Sequence, residues 1–435
     1  MVHLRAIAAI LLLAAAPAGA TTLDMYGFGA RSVAMGNASE AAADDYFAAF
    51  ANPANLALAQ HIHLGYGTDL VFNQFAIERQ GGQEQWPTRL PQNNYLAHVG
   101  ISTPLPGWLQ DKAALGVAVH VPVGGPTRLD SLDHRIPQLP LYDTLGDRLA
   151  LVLSVAVRPQ PWLALGVGTQ VLTALSGRAD IGLSVLDQRV TYKALQVDLA
   201  TVLVPMVGVT VLPKPNVRVA AVWRAQSAVR YELPLLVNVE NVGTLDFAVK
   251  GVGLWLPESL ALASSWQGGP WLATAGVAWQ RWSQMPPLAP EVLARIDDSQ
   301  LVQPGSKTVE LLYAHNQPLQ MGAKDVLLPK VGVEYTLSER WVARGGANYR
   351  PTPLPKADGE ANYLDAAALT LAVGAGAQIG DPLEFTKKPL QVDVALGVTA
   401  LTRRTVSKRD PDNPVGATSV SGQVWHVAIG IHHDF

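Results

Sequence analysis

The chain has 435 residues, a formal net charge of −3, 49% hydrophobic residues and only 15% charged residues. Globular proteins contain about 25% charged residues, so this composition favours a membrane protein. The negative net charge leaves no surplus of lysine and arginine to neutralise phosphates, which argues against a nucleic-acid-binding protein. The absence of cysteine excludes disulfide frameworks, zinc sites built on thiolates and cysteine nucleophiles.

The first residues have the layout of a secretory signal peptide. Arg5 supplies the positive start, residues 6–16 form a short apolar run, and Pro17 breaks this run before the small residues at 18–20. We predict cleavage after Ala20. Further along the chain, no run of about 18 uninterrupted apolar residues remains. An exported, apolar chain without membrane helices indicates a transmembrane β-barrel, because a closed barrel satisfies its backbone hydrogen bonds between strands.

Residues 21–60 do not follow a strand pattern, because they are rich in glycine and alanine and contain one helical stretch. We predict a helix over 41–51, with Asp44 and Asp45 in its early turns, where the helix dipole favours negative charge. Pro53 ends this helix and turns the chain toward the first strand, since a proline disfavours helical geometry in the residue before it. A barrel of about fourteen strands is too wide for its own side chains to fill. This segment is therefore predicted to be a plug, or hatch, inside the lumen.

The rest of the chain alternates between apolar residues and polar or small ones, which is the period of a β-strand. In the last segment, Trp425, Val427 and Ile429 share one face. A charge on the lipid side costs about 2–4 kcal/mol at mid-depth. Asp393 and His120 are therefore predicted to face the lumen.

Short turns rich in proline and glycine alternate with long polar segments. Three short turns, at 158–162, 267–271 and 337–341, end on a tryptophan, which is favoured at a membrane interface. Short turns on one side and long loops on the other are typical of outer-membrane barrels. We predict fourteen antiparallel strands, near 61–72, 94–104, 113–123, 148–158, 162–174, 193–212, 217–230, 256–267, 271–283, 326–337, 340–350, 366–380, 390–401 and 418–435.

Two segments between these strands leave alternatives open. Residues 231–256 form either a hairpin within a loop or an extra pair of strands, which would make sixteen. Residues 284–303 carry an apolar stripe at helical spacing, which predicts either a groove that captures a ligand or a helix that packs on its neighbours. The stripe consists of Met285, Leu288, Val292, Leu293 and Ile296.

Four motifs lie close together in the predicted plug. They are Gly27-x-Gly29-Ala30-Arg31, Met35-Gly36-Asn37-Ala38, Ala42-Ala43-Asp44-Asp45 and Asn52-Pro53-Ala54-Asn55-Leu56. With the signal peptide, the strand pattern and the aromatic C-terminus, they resemble the long-chain fatty acid and aromatic hydrocarbon outer-membrane transporter family (FadL/TodX type). The motifs cover part of the plug, and the strand layout extends the resemblance over the whole chain.

The resemblance implies a barrel in the outer membrane of a Gram-negative bacterium. Such a barrel takes up long-chain fatty acids or aromatic hydrocarbons passively, and its plug gates the lumen. It also implies no covalent chemistry, and we accordingly predict no enzyme activity, no cofactor and no metal. The residues that we assign to the plug and its gating are Gly27, Gly29, Arg31, Gly36, Asp44, Asp45, Asn52, Pro53 and Ala54.

A carboxylate ligand would need a cation in the lumen, because a guanidinium binds a carboxylate through two parallel hydrogen bonds. Arg218, Arg224 and Arg344 fall on the faces opposite to the lipid-facing residues of their strands, and Arg31 lies in the plug. Alternatively, these arginines pair with luminal acids such as Asp393. The choice between a fatty acid and a neutral hydrocarbon stays open at this point.

The chain therefore divides into a signal peptide (1–20), a plug (21–60) and a transmembrane barrel (61–435). The predicted partners are a hydrophobic ligand, outer-membrane lipid including lipopolysaccharide, and the barrel-assembly machinery, which would meet the C-terminal strand ending at Phe435. The main alternative function is a barrel of the same fold that acts as a scaffold or shuttle for secretion or surface-protein assembly.

Overall fold

The computed structural model describes residues 27–82, 85–123, 133–143, 149–184, 189–239, 243–289, 291–297, 313–315, 319–380 and 389–435. The predicted signal peptide lies outside the described residues. Within them, no helix has the length and the apolar character needed to cross a membrane. The α-helices are α1 (Ala30–Ala34), α2 (Ala48–Ala51) and α3 (Pro140–Asp143), and short 3₁₀ helices cover Pro53–Leu58, Gly107–Leu109 and Trp282–Gln284.

The strands have the following bounds in chain order. They are β1 (His63–Gln80), β2 (Asn94–Pro104), β3 (Ala113–Pro122), β4 (Ala150–Gln160), β5 (Leu163–Ser184), β6 (Arg189–Lys214), β7 (Val217–Arg224), β8 (Ser227–Val239), β9 (Gly243–Leu256), β10 (Ser259–Gly268), β11 (Trp271–Gln280), β12 (Glu291–Asp297), β13 (Tyr313–His315), β14 (Val326–Thr336), β15 (Trp341–Arg350), β16 (Ala368–Ile379), β17 (Leu390–Val406) and β18 (Ala417–Asp434).

Fourteen of these strands form one closed antiparallel barrel. They are β1 to β7, β10, β11 and β14 to β18, and the breaks in this order are bridged by pairing of β7 with β10 and of β11 with β14. β1 pairs with β18 along the whole strand, from His63 opposite Asp434 to Gln80 opposite Ala417. This seam closes the ring. The prediction of a transmembrane barrel of about fourteen strands is confirmed.

The strands in segment 231–256 lie outside the ring. β8 and β9 pair with each other as a hairpin, and β9 pairs in turn with β12. The end of β8 also runs parallel to the loop-side end of β5. The hairpin alternative is therefore correct, and the count of sixteen barrel strands is wrong.

The helix that the spacing predicts within 284–303 is also wrong. β12 is a strand that pairs residue by residue with β9. Leu288, Val292 and Ile296 are spaced by four residues, and an even spacing fits the period of a strand as well as that of a helix. The unpaired backbone groups along the edge of β9 provide hydrogen-bond partners for a strand. This pairing favours the strand over the helix.

Exposed apolar residues alternate with buried residues along the ring strands, as the sequence predicts. In β3, Leu115 and Val121 are exposed, while Ala118 and His120 between them are buried. Every ring strand contributes at least one exposed apolar residue, as a lipid-facing wall requires. Examples in chain order are Leu64, Val99, Leu115, Val155, Val167, Leu203, Val219, Leu262, Val277, Val331, Tyr349, Leu371, Val394 and Ile429.

The described part of the plug, residues 27–60, contacts the inner side of the ring on both halves. Helix α1 lies against β15 to β18, and the 3₁₀ helix Pro53–Leu58 lies against β2 to β6. Nearly all of its residues are buried, with Arg31 and Asp44 among the half-buried exceptions. Because the strands form a closed ring, a segment that contacts the inner side of both halves lies in the lumen.

Strand glycines allow the plug to approach the wall closely. A Cβ atom on Gly346 of β15 would lie 2.1 Å from the carbonyl carbon of Met35, and one on Gly208 of β6 would lie 2.0 Å from Asn52 Oδ1. No side chain fits at such distances. The absence of side chains at these strand positions therefore permits the close contact between plug and wall.

The predicted helix over 41–51 is wrong in its length, because α2 covers only its last turn. The side chain of Asn55 donates to the carbonyl of Ala43, and the side chain of Asn52 donates to the carbonyl of Glu40, both at 2.8 Å. In a continuous helix these carbonyls would accept backbone N–H groups four residues later. The asparagine side chains therefore compete with the helix for its acceptors.

The two aspartates have different partners. The Asp45 carboxylate accepts a hydrogen bond from the N–H of Phe47 at 2.8 Å and so caps the turn before α2. Asp44 instead binds Arg31, so only Asp45 has a place near a helix start. Asn52 is extended and ends α2, as predicted, but Pro53 begins a 3₁₀ helix before the chain reaches β1.

Candidate functional site

A large apolar cluster fills the loop-side end of the barrel, and we call it the mouth cluster. It combines inward residues of the strands with side chains from segments 133–143, 281–289 and 351–366. The rings of Trp255 and Trp282 are 5.6 Å apart between centroids, and those of Phe75 and Tyr142 are 4.8 Å apart. Its other large members include Leu139, Leu172, Val204, Leu256, Met321 and Tyr363.

Two of the five predicted groove residues, Met285 and Leu288, belong to the mouth cluster. Each is 7% exposed, so they pack inward instead of forming an open groove. The other three, Val292, Leu293 and Ile296, lie on β12. A role of the five in ligand capture stays a prediction.

A second apolar cluster, the plug cluster, joins the plug to strands β3 to β6. Phe28, Phe47 and Phe50 form its centre, with ring centroids 5.3 to 5.9 Å apart. The wall contributes small or flexible side chains, namely Ala114, Ala118, Val152, Ala156, Ala164 and Met206. Aromatic rings of the plug therefore pack directly against the inner wall.

The two clusters meet along β4 and β6. Ala150 of β4 belongs to the mouth cluster, and Val152, the next inward residue toward the short turns, belongs to the plug cluster. Val204 and Met206 repeat this arrangement on β6. Gln170 of β5 lies between the two strands at this level. We call Ala150, Val152, Val204 and Met206 the apolar strip, because they connect the loop side of the lumen to the plug without an intervening charge.

The plug contacts a different part of the wall through ion pairs. Arg31 binds Asp44 at 2.6 Å and Glu334 of β14 at 3.0 Å. Arg344 of β15 binds the same Glu334 at 2.6 Å and Asp393 of β17 at 2.6 Å. Glu334 thus lies between two guanidinium groups. This charged network fastens the plug to β14, β15 and β17.

Two further polar contacts hold the plug against the wall, one on β14 and one on β7. Lys330 of β14 donates to Glu40 at 2.8 Å, and both side chains are only 5% exposed. Arg224 of β7 donates to the carbonyls of Phe50 and Ala51 at 2.7 and 2.8 Å. The carbonyl end of a helix attracts a cation, so Arg224 stabilises the end of α2.

A buried carboxylate on β1 lies close to the plug cluster. Asp69 hydrogen-bonds to His98 Nδ1 at 2.9 Å and to His426 Nε2 at 3.1 Å. The ring of His98 lies 4.8 Å from the ring of Phe28 between centroids. This group joins β1, β2 and β18 next to the plug.

The structure places the predicted gating residues in one packed segment. Gly27, Gly29 and Gly36 have φ angles of 88°, 84° and 63°, which glycine adopts without strain. Gly36 also accepts a hydrogen bond at its carbonyl from Asn348 of β15 at 3.1 Å. These positions shape the plug, and their part in gating stays a prediction.

Asn52 anchors the plug to β6 through side-chain hydrogen bonds. Its Nδ2 donates to Thr210 Oγ1 at 2.8 Å, and the Thr210 hydroxyl donates to Asn55 Oδ1 at 2.6 Å. All three side chains are fully buried. Pro53 and Ala54 follow directly and pack against Gly166 and Gly208.

Replacing Thr210 with valine is expected to loosen the plug, because the two asparagine side chains lose a shared partner in a buried place. An unpaired buried polar group costs about 1–3 kcal/mol. A cysteine introduced at Ser32 should then react faster with a water-soluble maleimide. Thr274→Val is the matched control, since the Thr274 hydroxyl bonds to a strand carbonyl and not to the plug. Equal labelling of the two variants would contradict the anchoring role.

The four arginines predicted to face the lumen all have partners. Arg31 and Arg344 belong to the charged network, and Arg224 binds main-chain carbonyls of the plug. Arg218 lies 3.9 Å from Asp44. The structure thus matches the alternative in which luminal arginines pair internally.

Five further residues of this site were not predicted from the sequence, namely Glu40, Lys330, Glu334, Asp69 and His98. For the four strand residues, a signal was available, since each polar residue interrupts an otherwise apolar face of a strand at even spacing. Glu40 carries no such signal, because it lies in a turn between α1 and α2.

The plug leaves little free space at its boundary with β18. A cavity of about 30 Å³ remains beside Phe28, Met35 and Ile431. This volume suffices for about one water molecule. In this conformation, the cavity is too small to hold a hydrocarbon ligand.

Comparison with known proteins places this geometry in a family. A family model described as "Outer membrane protein transport protein (OMPP1/FadL/TodX)" matches residues 9–435. Alkane uptake protein A from Marinobacter nauticus is 27% identical over 188 residues, which are 43% of this chain and 38% of that relative. The match therefore spans well under two thirds of the relative's length.

Several solved structures share the fold over nearly the whole chain. A FadL homologue from Pseudomonas aeruginosa has a TM-score of 0.60 at 14% identity and covers 97% of this chain and 100% of its own. The toluene transporter TbuX from Ralstonia pickettii has a TM-score of 0.54 at 17% identity, covering 95% and 100%. The toluene transporter TodX from Pseudomonas putida has a TM-score of 0.57 at 15% identity, covering 95% and 99%. At such identities, the likeness establishes the fold alone.

Proposed function

The chain belongs to the OMPP1/FadL/TodX family of outer membrane transport proteins, and we propose that it takes up hydrophobic small molecules by passive diffusion through its plugged barrel. It is a multi-pass protein of the outer membrane, and its family consists of transporters of hydrophobic compounds. The family resemblance implies two ligand classes, long-chain fatty acids and aromatic hydrocarbons.

The apolar strip is the observation that supports this proposal. A hydrophobic ligand gains about 0.8 kcal/mol for each methylene group that leaves water. The mouth cluster offers such an environment behind the loops, and the strip continues it to the plug cluster. A wet pore would provide no comparable gain. The arrangement therefore favours transfer from one apolar surface to the next.

Transfer past the plug requires a conformational change. The plug is held by apolar packing against β3 to β6 and by ion pairs to β14, β15 and β17. We propose that the ligand enters the plug cluster and that local movement of the plug then opens a route. Pro53 directly follows the anchor at Asn52, so a movement that leaves this anchor in place is confined to the part of the plug before Asn52.

Replacing Val204 with threonine tests the apolar strip. The two side chains have nearly the same shape, but the hydroxyl places a polar group on the proposed route at a cost of about 1–3 kcal/mol. We expect uptake of labelled toluene to fall about tenfold, because a cost of about 1.4 kcal/mol, in the lower half of that range, corresponds to a factor of ten. The measurement compares cells that produce each variant with cells that lack the protein.

Val222→Thr is the matched control for this experiment. Val222 is an inward, buried valine of β7, but it belongs to a separate small cluster with Ala261, Ala278 and Leu328. Uptake should be unchanged in this variant. If toluene and oleate enter cells equally with and without the protein, the uptake proposal fails and the scaffold alternative gains support.

A further inference from the structure

We propose that the lumen admits uncharged hydrophobic molecules, such as alkanes or aromatic hydrocarbons, and discriminates against carboxylates such as fatty-acid anions. This inference rests on the proposed uptake function and narrows its substrate class. The inference is based on the described cationic side chains along the inner wall of the barrel, which already have partners within the protein.

The first group of cations lies where the plug meets the wall. Arg31 and Arg344 share Glu334, and each also has a second acid, Asp44 for Arg31 and Asp393 for Arg344. Each guanidinium therefore contacts two carboxylates. An incoming carboxylate would have to displace an internal one to bind here.

Lys330 is closed to a ligand in the same way. Its ammonium group lies 2.8 Å from Glu40, and both side chains are 5% exposed. A ligand carboxylate would have to replace the Glu40 carboxylate inside a dry contact between plug and wall.

Arg224 is covered by the plug. Its Nη2 donates to two carbonyls of α2, and its guanidinium lies 4.6 Å from the centre of the Phe50 ring. The side chain is 5% exposed. A ligand would reach it only after the end of α2 had moved away.

Two described cations near the mouth cluster, Arg350 and Arg404, are also bound internally. Arg350 pairs with Asp365 at 2.9 Å and donates to the Tyr142 hydroxyl at 2.7 Å. Arg404 donates to the carbonyls of Asp365 at 2.9 Å and Leu354 at 3.2 Å. A carboxylate that entered the mouth cluster would therefore find these cations already engaged.

The balance of charge around the plug points the same way. The described acids of this region outnumber its lysine and arginine residues, so the local field does not attract an anion. A carboxylate buried without a partner is strongly disfavoured, whereas a neutral molecule of the same length is not. The acids are Glu40, Asp44, Asp45, Asp69, Glu334 and Asp393, and the cations are Arg31, Arg218, Arg224, Lys330 and Arg344.

The test compares ligands of equal chain length that differ in charge. Labelled hexadecane, methyl palmitate and palmitate are offered at pH 8 to cells with and without the protein. We expect the protein to accelerate entry of the two neutral compounds at least about tenfold more than entry of palmitate. Equal acceleration of palmitate and methyl palmitate would overturn this inference but leave the uptake function standing. No acceleration of any of the three would overturn both.

A gain of carboxylate uptake provides the second test. Glu334→Gln removes the acid shared by Arg31 and Arg344, and we expect the palmitate to methyl palmitate uptake ratio to rise about tenfold. Glu232→Gln is the matched control, because Glu232 pairs with Lys250 in an exposed hairpin outside the ring. If Glu334→Gln does not fold, Asp44→Asn removes the other carboxylate of Arg31, at a more exposed position. An unchanged ratio in the folded variant would overturn the proposed basis of the selectivity.

Discussion

Replacing Gly346 with valine is expected to detach the plug from β15. A Cβ atom at this position would lie 2.1 Å from the carbonyl carbon of Met35 and 2.2 Å from the nitrogen of Gly36. Backbone atoms on both sides cannot rotate out of the way, so the plug or the strand has to shift. The chain lacks cysteine, and a single cysteine at Ser32 therefore reports plug exposure directly. We expect a water-soluble maleimide to label it at least about tenfold faster than in the parent protein.

Gly345→Val is the matched control for this experiment. A Cβ atom at Gly345 would have its nearest neighbour at 3.8 Å, in ordinary contact distance of Ala372. This variant adds the same side chain to the same strand without touching the plug. Resistance of the barrel to unheated detergent on a gel identifies folded protein in both variants. Slow labelling of Ser32→Cys in folded Gly346→Val would contradict the close fit of plug and wall.

Replacing Lys330 with methionine is expected to lower the free energy of unfolding by about 3–5 kcal/mol, the usual cost of removing one partner of a buried ion pair. Glu40 would remain as a buried carboxylate without the ammonium group of Lys330 beside it. Oε2 of Glu40 already has no hydrogen-bond partner among the residues that the structure describes. Adding Glu40→Gln removes the stranded charge, so the double variant should recover much of the loss. Urea unfolding in lipid vesicles measures these differences.

Lys250→Met is the comparison for the buried pair. Lys250 and Glu232 are 2.7 Å apart, but their side chains are 41% and 58% exposed. Water screens such a pair, so its loss should lower the free energy of unfolding much less than the loss of the buried pair does. A similar decrease in the free energy of unfolding in Lys330→Met and Lys250→Met would show that burial does not strengthen the pair between Lys330 and Glu40.

The barrel could be predicted from the sequence because two independent signals agree. The period of two marks the strands, and the turns with a following tryptophan mark their short connections. The prediction failed where local spacing is ambiguous or where side chains intervene. Residues 288, 292 and 296 fit both periods, and the edge of β9 selects the strand. Between 41 and 51, asparagine side chains from later in the chain occupy carbonyls that a helix would need.

The site was less predictable than the fold, because its contacts join residues far apart in the sequence. Arg344 and Asp393 could both be placed on inward faces from the period of their strands. Their pairing depends on which strands become neighbours of the plug and of each other. The role of Glu334 as a shared partner follows from that arrangement, and no local sequence pattern predicts this role.

The seam between β1 and β18 has a consequence for how the molecule is assembled. Glu334, which binds Arg31 of the plug, follows it by 303 positions in the sequence. Folding is therefore dominated by contacts of high sequence separation, which form late and slowly. Because β18 closes the ring by pairing with β1, the wall against which α1 packs is complete only when the last strand has joined the first. Docking of the plug and closing of the ring are therefore coupled steps of assembly.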